Sequence, residues 1–147
     1  MAYDRPVART VPTDPLAAAL DRVGDRWSLL LIEELLAGPR RYSELAEAVT
    51  GIAPNILADR LRRLEGEQVV RSTPYQERPR RLSYALTAEG MELAGAIRLL
   101  ADWGARGSAH AEPLRHAACG TAVEARLWCP TCARDIHAPE AEGLRFV

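Results

Sequence analysis

The stretch Ser43-Glu44-Leu45-Ala46-Glu47-Ala48-Val49-Thr50-Gly51-Ile52-Ala53-Pro54-Asn55-Ile56-Leu57-Ala58-Asp59-Arg60-Leu61-Arg62-Arg63-Leu64-Glu65-Gly66 holds two short helical patterns with one break between them. Ser43 can cap a helix running to Val49, whose inner face is Leu45, Ala46 and Val49. Thr50-Gly51 then interrupts the chain. Pro54 fits the first position of a second helix, where its missing N–H leaves nothing unsatisfied. Ile56, Leu57, Leu61 and Leu64 recur close to the 3.6-residue period up to Gly66. Two short helices joined by a glycine-containing turn form a helix-turn-helix unit.

In the second helix Leu57, Leu61 and Leu64 share one side, which sends Asn55, Asp59 and Arg62 outward, flanked by Ala58 and Arg63. These side chains suit base edges in a major groove: Arg bonds guanine through two donors, Asn pairs with adenine, and Asp accepts from the cytosine amino group. Taken alone, the pattern is also that of any solvated helix face. The residues that follow favour DNA. Val69 to Thr73 and Leu82 to Leu86 have strand character, and the polar run from Pro74 to Arg81 between them reads as the tip of an antiparallel hairpin, a wing. Arg78, Arg80 and Arg81 on that tip suit phosphates or a narrow minor groove, and Pro74 and Pro79 reduce the entropy lost when the loop orders. Arg40 and Arg41, just ahead of Ser43, can reach the backbone at the other edge of the unit.

Upstream, Asp14 is a candidate N-cap and Pro15 a first helical residue for a helix to Val23, with Leu16, Ala19, Leu20 and Val23 at helical spacing. Trp27 to Ala37 is apolar nearly all round, ends at Gly38-Pro39, and should be the central buried helix. Downstream, Thr87 with Glu89 and Glu92 opens a helix in which Leu93, Ala94, Ile97, Leu100 and Ala101 form a stripe continuing toward Trp103. The fold class is mainly α with a small β-hairpin, a winged helix-turn-helix.

Composition bounds the rest. With 147 residues, 48% hydrophobic and 27% charged, the chain has room for one folded core plus appendages. Its net charge of -1 excludes a uniformly basic protein, but the charge is segregated. Residues 40 to 81 carry 9 Arg against 6 acids, whereas 1 to 39 carry 4 against 6 and 82 to 147 carry 6 against 8. Every basic residue is Arg and none is Lys, which supplies planar forks for phosphate and guanine. Apolar runs such as Leu29 to Ile32 are far too short for a membrane span. The first 14 residues lack the apolar region of a signal peptide, so a cytoplasmic location is expected.

The segments Asp14-Pro15-Leu16, Val23-Gly24-Asp25-Arg26-Trp27-Ser28-Leu29-Leu30-Leu31, Gly38-Pro39-Arg40-Arg41-Tyr42-Ser43-Glu44-Leu45 and Ile52-Ala53-Pro54-Asn55-Ile56-Leu57 resemble the HxlR-type winged helix regulators. The likeness continues through Arg60-Leu61-Arg62-Arg63-Leu64-Glu65 and Tyr84-Ala85-Leu86-Thr87-Ala88-Glu89-Gly90, and spans Asp14 to about Gly107. The resemblance implies a homodimer formed through the first helix and the long helix after Thr87, and hence a pseudo-palindromic operator in double-stranded DNA. Repression is the commoner mode among such relatives, and a small-molecule effector is admitted as a further partner. Several relatives sense electrophiles or oxidants through a cysteine ahead of the proline that opens the first helix. Here Asp14 stands in that place, so no such thiol switch is expected. Many relatives have Ser at the cap of the recognition helix, whereas this chain has Ala53 and forgoes a side-chain cap.

Near the C-terminus, His116, Cys119, Cys129 and Cys132 make the pattern H-x2-C-x9-C-x2-C. Two close ligand pairs facing across a short hairpin can complete a tetrahedral site, which points to one structural zinc per chain in a zinc-ribbon-like module. His110 and His137 are alternative fourth ligands, and plain thiols are the competing reading. The expected organisation is a flexible arm at 1 to 13, the winged helix and dimerisation domain at 14 to 108, the zinc-ribbon-like tail at 109 to 137 and an extension at 138 to 147. Catalysis by a Cys119 nucleophile with a His116 base is the weaker rival, because no third orienting group, phosphate loop or carboxylate pair stands out. The stronger rival is a protein-interaction adaptor in which the winged helix and zinc tail bind proteins and no specific DNA.

Overall fold

The computed structural model describes residues 14 to 109 and 112 to 136, which form two compact units dividing after Met91. The expected N-terminal arm, the C-terminal extension, His110 and His137 lie outside the described residues. The first unit contains α1 (Pro15–Val23), α2 (Arg26–Leu35), β1 (Arg40–Arg41), α3 (Tyr42–Ala48), α4 (Pro54–Gly66), β2 (Val70–Glu77) and β3 (Arg80–Leu86). The second unit contains α6 (Ala94–Ala105), β4 (Leu127–Cys129) and β5 (Arg134–Ile136). The short α5 (Ala88–Glu92) lies at the division.

The helices follow the sequence pattern closely. Asp14 caps α1 by accepting from the Leu16 amide at 2.9 Å. In α2 the cap is Asp25, which accepts from the amides of Trp27 and Ser28, both at 3.1 Å, so the helix starts one residue earlier than the apolar run. In α3 the cap position belongs to Arg41, not Ser43. The Glu44 carboxylate reaches back to the Arg41 amide at 2.6 Å, which moves the helix start to Tyr42 and leaves Ser43 exposed in the first turn. Ala46, expected on the inner face of α3, is exposed, while Leu45 and Val49 are buried.

The core of the first unit is built from Leu31, Ile32 and Leu35 of α2, Leu45 of α3, and Leu57, Leu61 and Leu64 of α4, closed by Val69 and Val70. Each of these is at most 2% exposed, so this set carries most of the hydrophobic stabilisation of the unit. The wing is longer than its apolar ends indicate. The strands run to Glu77 and Arg80 and leave only Arg78-Pro79 as the turn, so Arg80 and Arg81 are strand residues. Pro74 is tolerated because β2 is an edge strand in the order β1-β3-β2 and the register slips between Pro74 and Gln76. The short β1, which no hydrophobic alternation marks, pairs Arg40 with Tyr84 and Arg41 with Ser83 on β3.

The helix expected after Thr87 is interrupted at Leu93, between Gly90 and Gly95, each a weak helix former. The Thr87 hydroxyl donates to the Gln68 carbonyl at 2.6 Å and accepts from the Gly90 amide at 3.0 Å, which binds α5 to the end of α4 and the start of the wing. In the second unit the Asp102 carboxylate of α6 accepts from the Leu114 amide at 3.4 Å, so α6 belongs with the segment that follows it.

Gly90 packs so closely that a Cβ placed there would lie 2.1 Å from the Val69 carbonyl oxygen. Gly90→Ala is expected to lower the unfolding free energy by about 1–3 kcal/mol or more through overpacking. Gly66→Ala, where a Cβ meets nothing within 4 Å, should be neutral or mildly stabilising in the same urea titration.

Candidate nucleic-acid interface

Helix α4 is fixed from behind by Leu57, Leu61 and Leu64, and it presents Asn55, Asp59 and Arg62 to solvent, as the period requires. Its first turn, exposed at Pro54, has no side-chain cap at Ala53. The start of the helix is held instead by Tyr42, whose hydroxyl donates to the Pro54 carbonyl at 2.8 Å and so ties α3 to α4 across the turn. Ala58 is half-buried beside the outward face, small enough to let another surface approach the backbone.

Two of the predicted arginines turn inward or sideways. Arg63 donates to the Asp21 carbonyl at the end of α1, which commits its guanidinium to the flank rather than to the outward face. Arg40 is half-buried, and its Nε is buried without a hydrogen-bond partner. By contrast Arg62, Arg78, Arg80 and Arg81 are exposed. The Arg41 guanidinium lies 4.7 Å from the centre of the Tyr75 ring, a cation–π contact joining the start of α3 to the wing. Between those two elements runs an open groove of about 490 Å³ lined by Tyr42, Ser43, Tyr75, Arg80, Arg81 and Tyr84. Burial, then the nearby Glu65 carboxylate, raises the pKa of the Tyr84 hydroxyl above its ordinary value, so it stays a neutral phenol beside these arginines.

Sequence reasoning missed the residues that hold α4 in place. Asp25 accepts from the Ser28 hydroxyl at 2.6 Å and from Arg60 Nε at 2.9 Å, in addition to its two backbone amides. Arg60 also donates to Asp59 at 2.7 Å. Arg22 donates to the carboxylate and carbonyl of Glu67 at 3.1 and 2.9 Å and to Glu89 at 2.5 Å, linking α1 to the end of α4 and to α5. An Asp just before the Trp27 helix is a capping signal legible by rule. The partners of Arg60 and Arg22, distant along the chain, carry no such local signal.

In the second unit two tight turns each bring one predicted ligand pair together. The His116 to Thr121 turn places His116 Nδ1 3.3 Å from Cys119 Sγ, with Gly120 at φ +71°. Cys129 ends β4 and Cys132 lies in the turn that leads to β5. Hydrogen bonds from Thr121 and His116 lower the Cys119 thiol pKa, and hydrogen bonds from Cys132 and Thr131 lower that of Cys129. Among the described residues, however, no three His, Cys, Asp or Glu side chains gather as a metal site, so the two pairs remain apart.

The family model described as HxlR-like helix-turn-helix matches residues 22–112, well over half of the chain. The chain belongs to the HxlR-like helix-turn-helix family. It is 36% identical over 129 residues to the uncharacterized HTH-type transcriptional regulator Rv3095 of Mycobacterium tuberculosis, covering 85% of this chain and 81% of that protein. That match runs beyond the family segment into the cysteine-bearing tail. The HTH-type transcriptional regulator YodB of Bacillus subtilis is 32% identical over 88 residues, covering 60% of this chain and 79% of that one. The Pseudomonas aeruginosa protein PA1374 superimposes with a TM-score of 0.64 at 30% identity over 86% of this chain and 88% of that one. The HxlR-like chain is therefore a winged helix member of a family of transcriptional regulators, which is not a class of enzymes. Among the described residues no helix is long and apolar enough to cross a membrane.

The Asp25 network predicts a pH dependence. Burial alone would raise the carboxyl pKa, but the hydrogen bonds from Ser28 and the Arg60 charge outweigh it and leave the value lowered. The carboxylate's contribution is then complete above its unfolded value of about 3.9 and disappears as the pH falls through the lower folded value. Asp25→Asn is expected to cost about 1.5–3 kcal/mol near neutral pH. That difference from the parent chain should shrink below about pH 4 in denaturant titrations across pH.

Proposed function

We propose that this HxlR-like chain is a cytoplasmic, sequence-specific repressor that binds a pseudo-palindromic operator as a homodimer. The observation that carries the reading is the pairing of an exposed Asn55, Asp59 and Arg62 face on α4 with an arginine-bearing wing, Arg78, Arg80 and Arg81, in one unit. The helix face reads base edges in the major groove while the wing arginines take phosphates or the minor groove alongside. Pro54, Ala58, Ser43 and Arg41 line the approach, with Arg63 at the flank and the half-buried Arg40 beside them. The apolar residues left exposed support a dimer: Leu16 and Leu20 on α1 in the first unit, and Leu99, Leu100 and Trp103 on α6 in the second. A twofold pair of recognition helices requires two half-sites.

Selection from random duplexes should yield a consensus of two inverted half-sites, with a log–log salt slope of about -7 for about eight phosphate contacts. Arg62→Ala is expected to relax preference at one position per half-site, and Arg80→Ala to weaken binding to all sequences alike. Failure to enrich any sequence would favour the adaptor role, and equal losses on every duplex for both variants would refute the division of labour.

We also propose one structural zinc per chain, held by His116, Cys119, Cys129 and Cys132. The donor set suits zinc, each pair already sits at a tight turn, and the amides and hydroxyl aimed at Cys119 and Cys129 favour the thiolate that a metal needs. Bound there, the metal would join two turns that have little apolar core of their own, since Leu114, Val123, Leu127 and Trp128 are all exposed. Elemental analysis of chain purified without chelator should find about one zinc per chain, lost in Cys129→Ser. Metal-free folded chain would make the cysteines ordinary thiols.

A further inference from the structure

A continuous line of polar and charged groups leads from the N-terminus of α2 to the outward face of α4. It starts at Ser28, which is fully buried and donates its hydroxyl to Asp25 at 2.6 Å. Asp25 Oδ1 receives Arg60 Nε at 2.9 Å, Arg60 Nη1 reaches Asp59 Oδ2 at 2.7 Å, and Arg62 Nη2 lies 4.0 Å from Asp59 Oδ1. The exposure of the side chains climbs along it, from 26% and 23% at Asp25 and Arg60 to 56% and 75% at Asp59 and Arg62. The inner end is therefore held by packing and the outer end faces solvent.

We infer that Asp25 and Arg60 are specificity-determining positioning residues, which fix the Asp59 carboxylate, and through it Arg62, in the geometry that reads a base pair. The inference rests on the DNA-reading face described above. A carboxylate on a surface meant for DNA is repelled by phosphates unless it is neutralised, and a single-bonded Asp rotates freely about its side-chain torsions. The Arg60 fork answers both problems. Its planar donors engage two carboxylates at once, one anchored on α2 and one exposed on α4, which a lysine ammonium on a flexible stem does not reproduce. Arg62, at the longer 4.0 Å separation, is oriented by Asp59 yet free to extend to a guanine. The Arg60 guanidinium is already engaged by Asp25 and Asp59. It acts through Asp59.

The test is a binding cycle on the selected operator, on operators changed at each base pair in turn, and on unrelated duplex at low salt. Arg60→Gln should lower discrimination at one base pair per half-site roughly tenfold, the worth of a good base contact, on top of a uniform loss on every duplex from the bared Asp59 charge. The charge-preserving Arg60→Lys should lose the same discrimination with unrelated-duplex affinity and the salt slope unchanged. Because Arg60 works through Asp59, the double variant with Asp59→Ala should lose no more discrimination than Asp59→Ala alone. A thermal melt accompanies each variant. Should Arg60→Gln fail to fold, Arg60→Lys keeps a charge beside Asp25 but no fork, and the same loss at the same base pair is expected. Equal losses on all sequences, or additive losses in the double variant, would overturn the relay and leave Arg60 a purely structural residue. A parent chain that enriches no sequence would overturn the DNA reading itself, and the relay with it.

Discussion

Asp25 accepts hydrogen bonds from two backbone amides of its own helix, from a fully buried hydroxyl and from an arginine on the recognition helix. Each bond answers a separate need: the amides are the orphan donors of α2, Ser28 is a buried hydroxyl that requires an acceptor, and Arg60 is a half-buried cation that requires a counter-charge. One carboxylate thus starts the central helix and orients the helix packed against it. The hydrophobic core of Leu31, Ile32, Leu35, Leu57, Leu61 and Leu64 holds α2 and α4 together, but apolar contact is tolerant of small rotations. The polar contact is directional, and it fixes the angle at which α4 stands against α2.

The same division of labour recurs at the wing. Burial of Tyr84 and Leu86 anchors β3 at its inner end, while its outer end carries Arg80 and Arg81 and is almost free of apolar residues. A long exposed hairpin of this kind depends on lateral ties to keep its direction. Two are present: β1 pairs with β3 at Tyr84 and Ser83, and the Arg41 guanidinium lies over Tyr75. Arg41 therefore starts α3, pairs with the wing strand and stacks on the wing ring. Substitution there would disturb the helix-turn-helix and the wing together, so its effect on DNA binding need not mean direct contact.

Much of this was legible in the sequence, because local signals and the apolar period agree. Pro15 and Pro54 mark helix starts, Leu57, Leu61 and Leu64 mark the inner face of α4, and the strand-like runs on either side of Pro74 to Arg81 mark the hairpin. What escaped is what periodicity does not encode. The β1 strand is only two arginines long and exists because β3 offers it a partner. Ser43 has the right chemistry for a cap, but the Glu44 carboxylate bonds the Arg41 amide and shifts the helix start by two residues. Arg63 flanks the outward face on a helical wheel, and its long stem carries the guanidinium away from that face to the end of α1. Such side chains are placed by partners tens of residues away, and no single window contains both.

These placements change how the positive middle of the chain should be weighed. Counting residues 40 to 81 as a basic patch treats every arginine as available to phosphate. Arg60 is already paired with Asp25 and Asp59, Arg63 is bonded to a carbonyl, and Arg40 is half-buried. Among the predicted contacts the exposed cations are Arg62 and Arg63 on the helix, the latter turned to the flank by its bond to Asp21, and Arg78, Arg80 and Arg81 on the wing, with Arg41 against Tyr75 between them. Long-range attraction to DNA in this acidic chain is therefore concentrated at the wing, whereas the helix face is nearly balanced by Asp59. On the proposed reading, a surface so divided lets the wing set how tightly any duplex is held and leaves the helix free to discriminate among them.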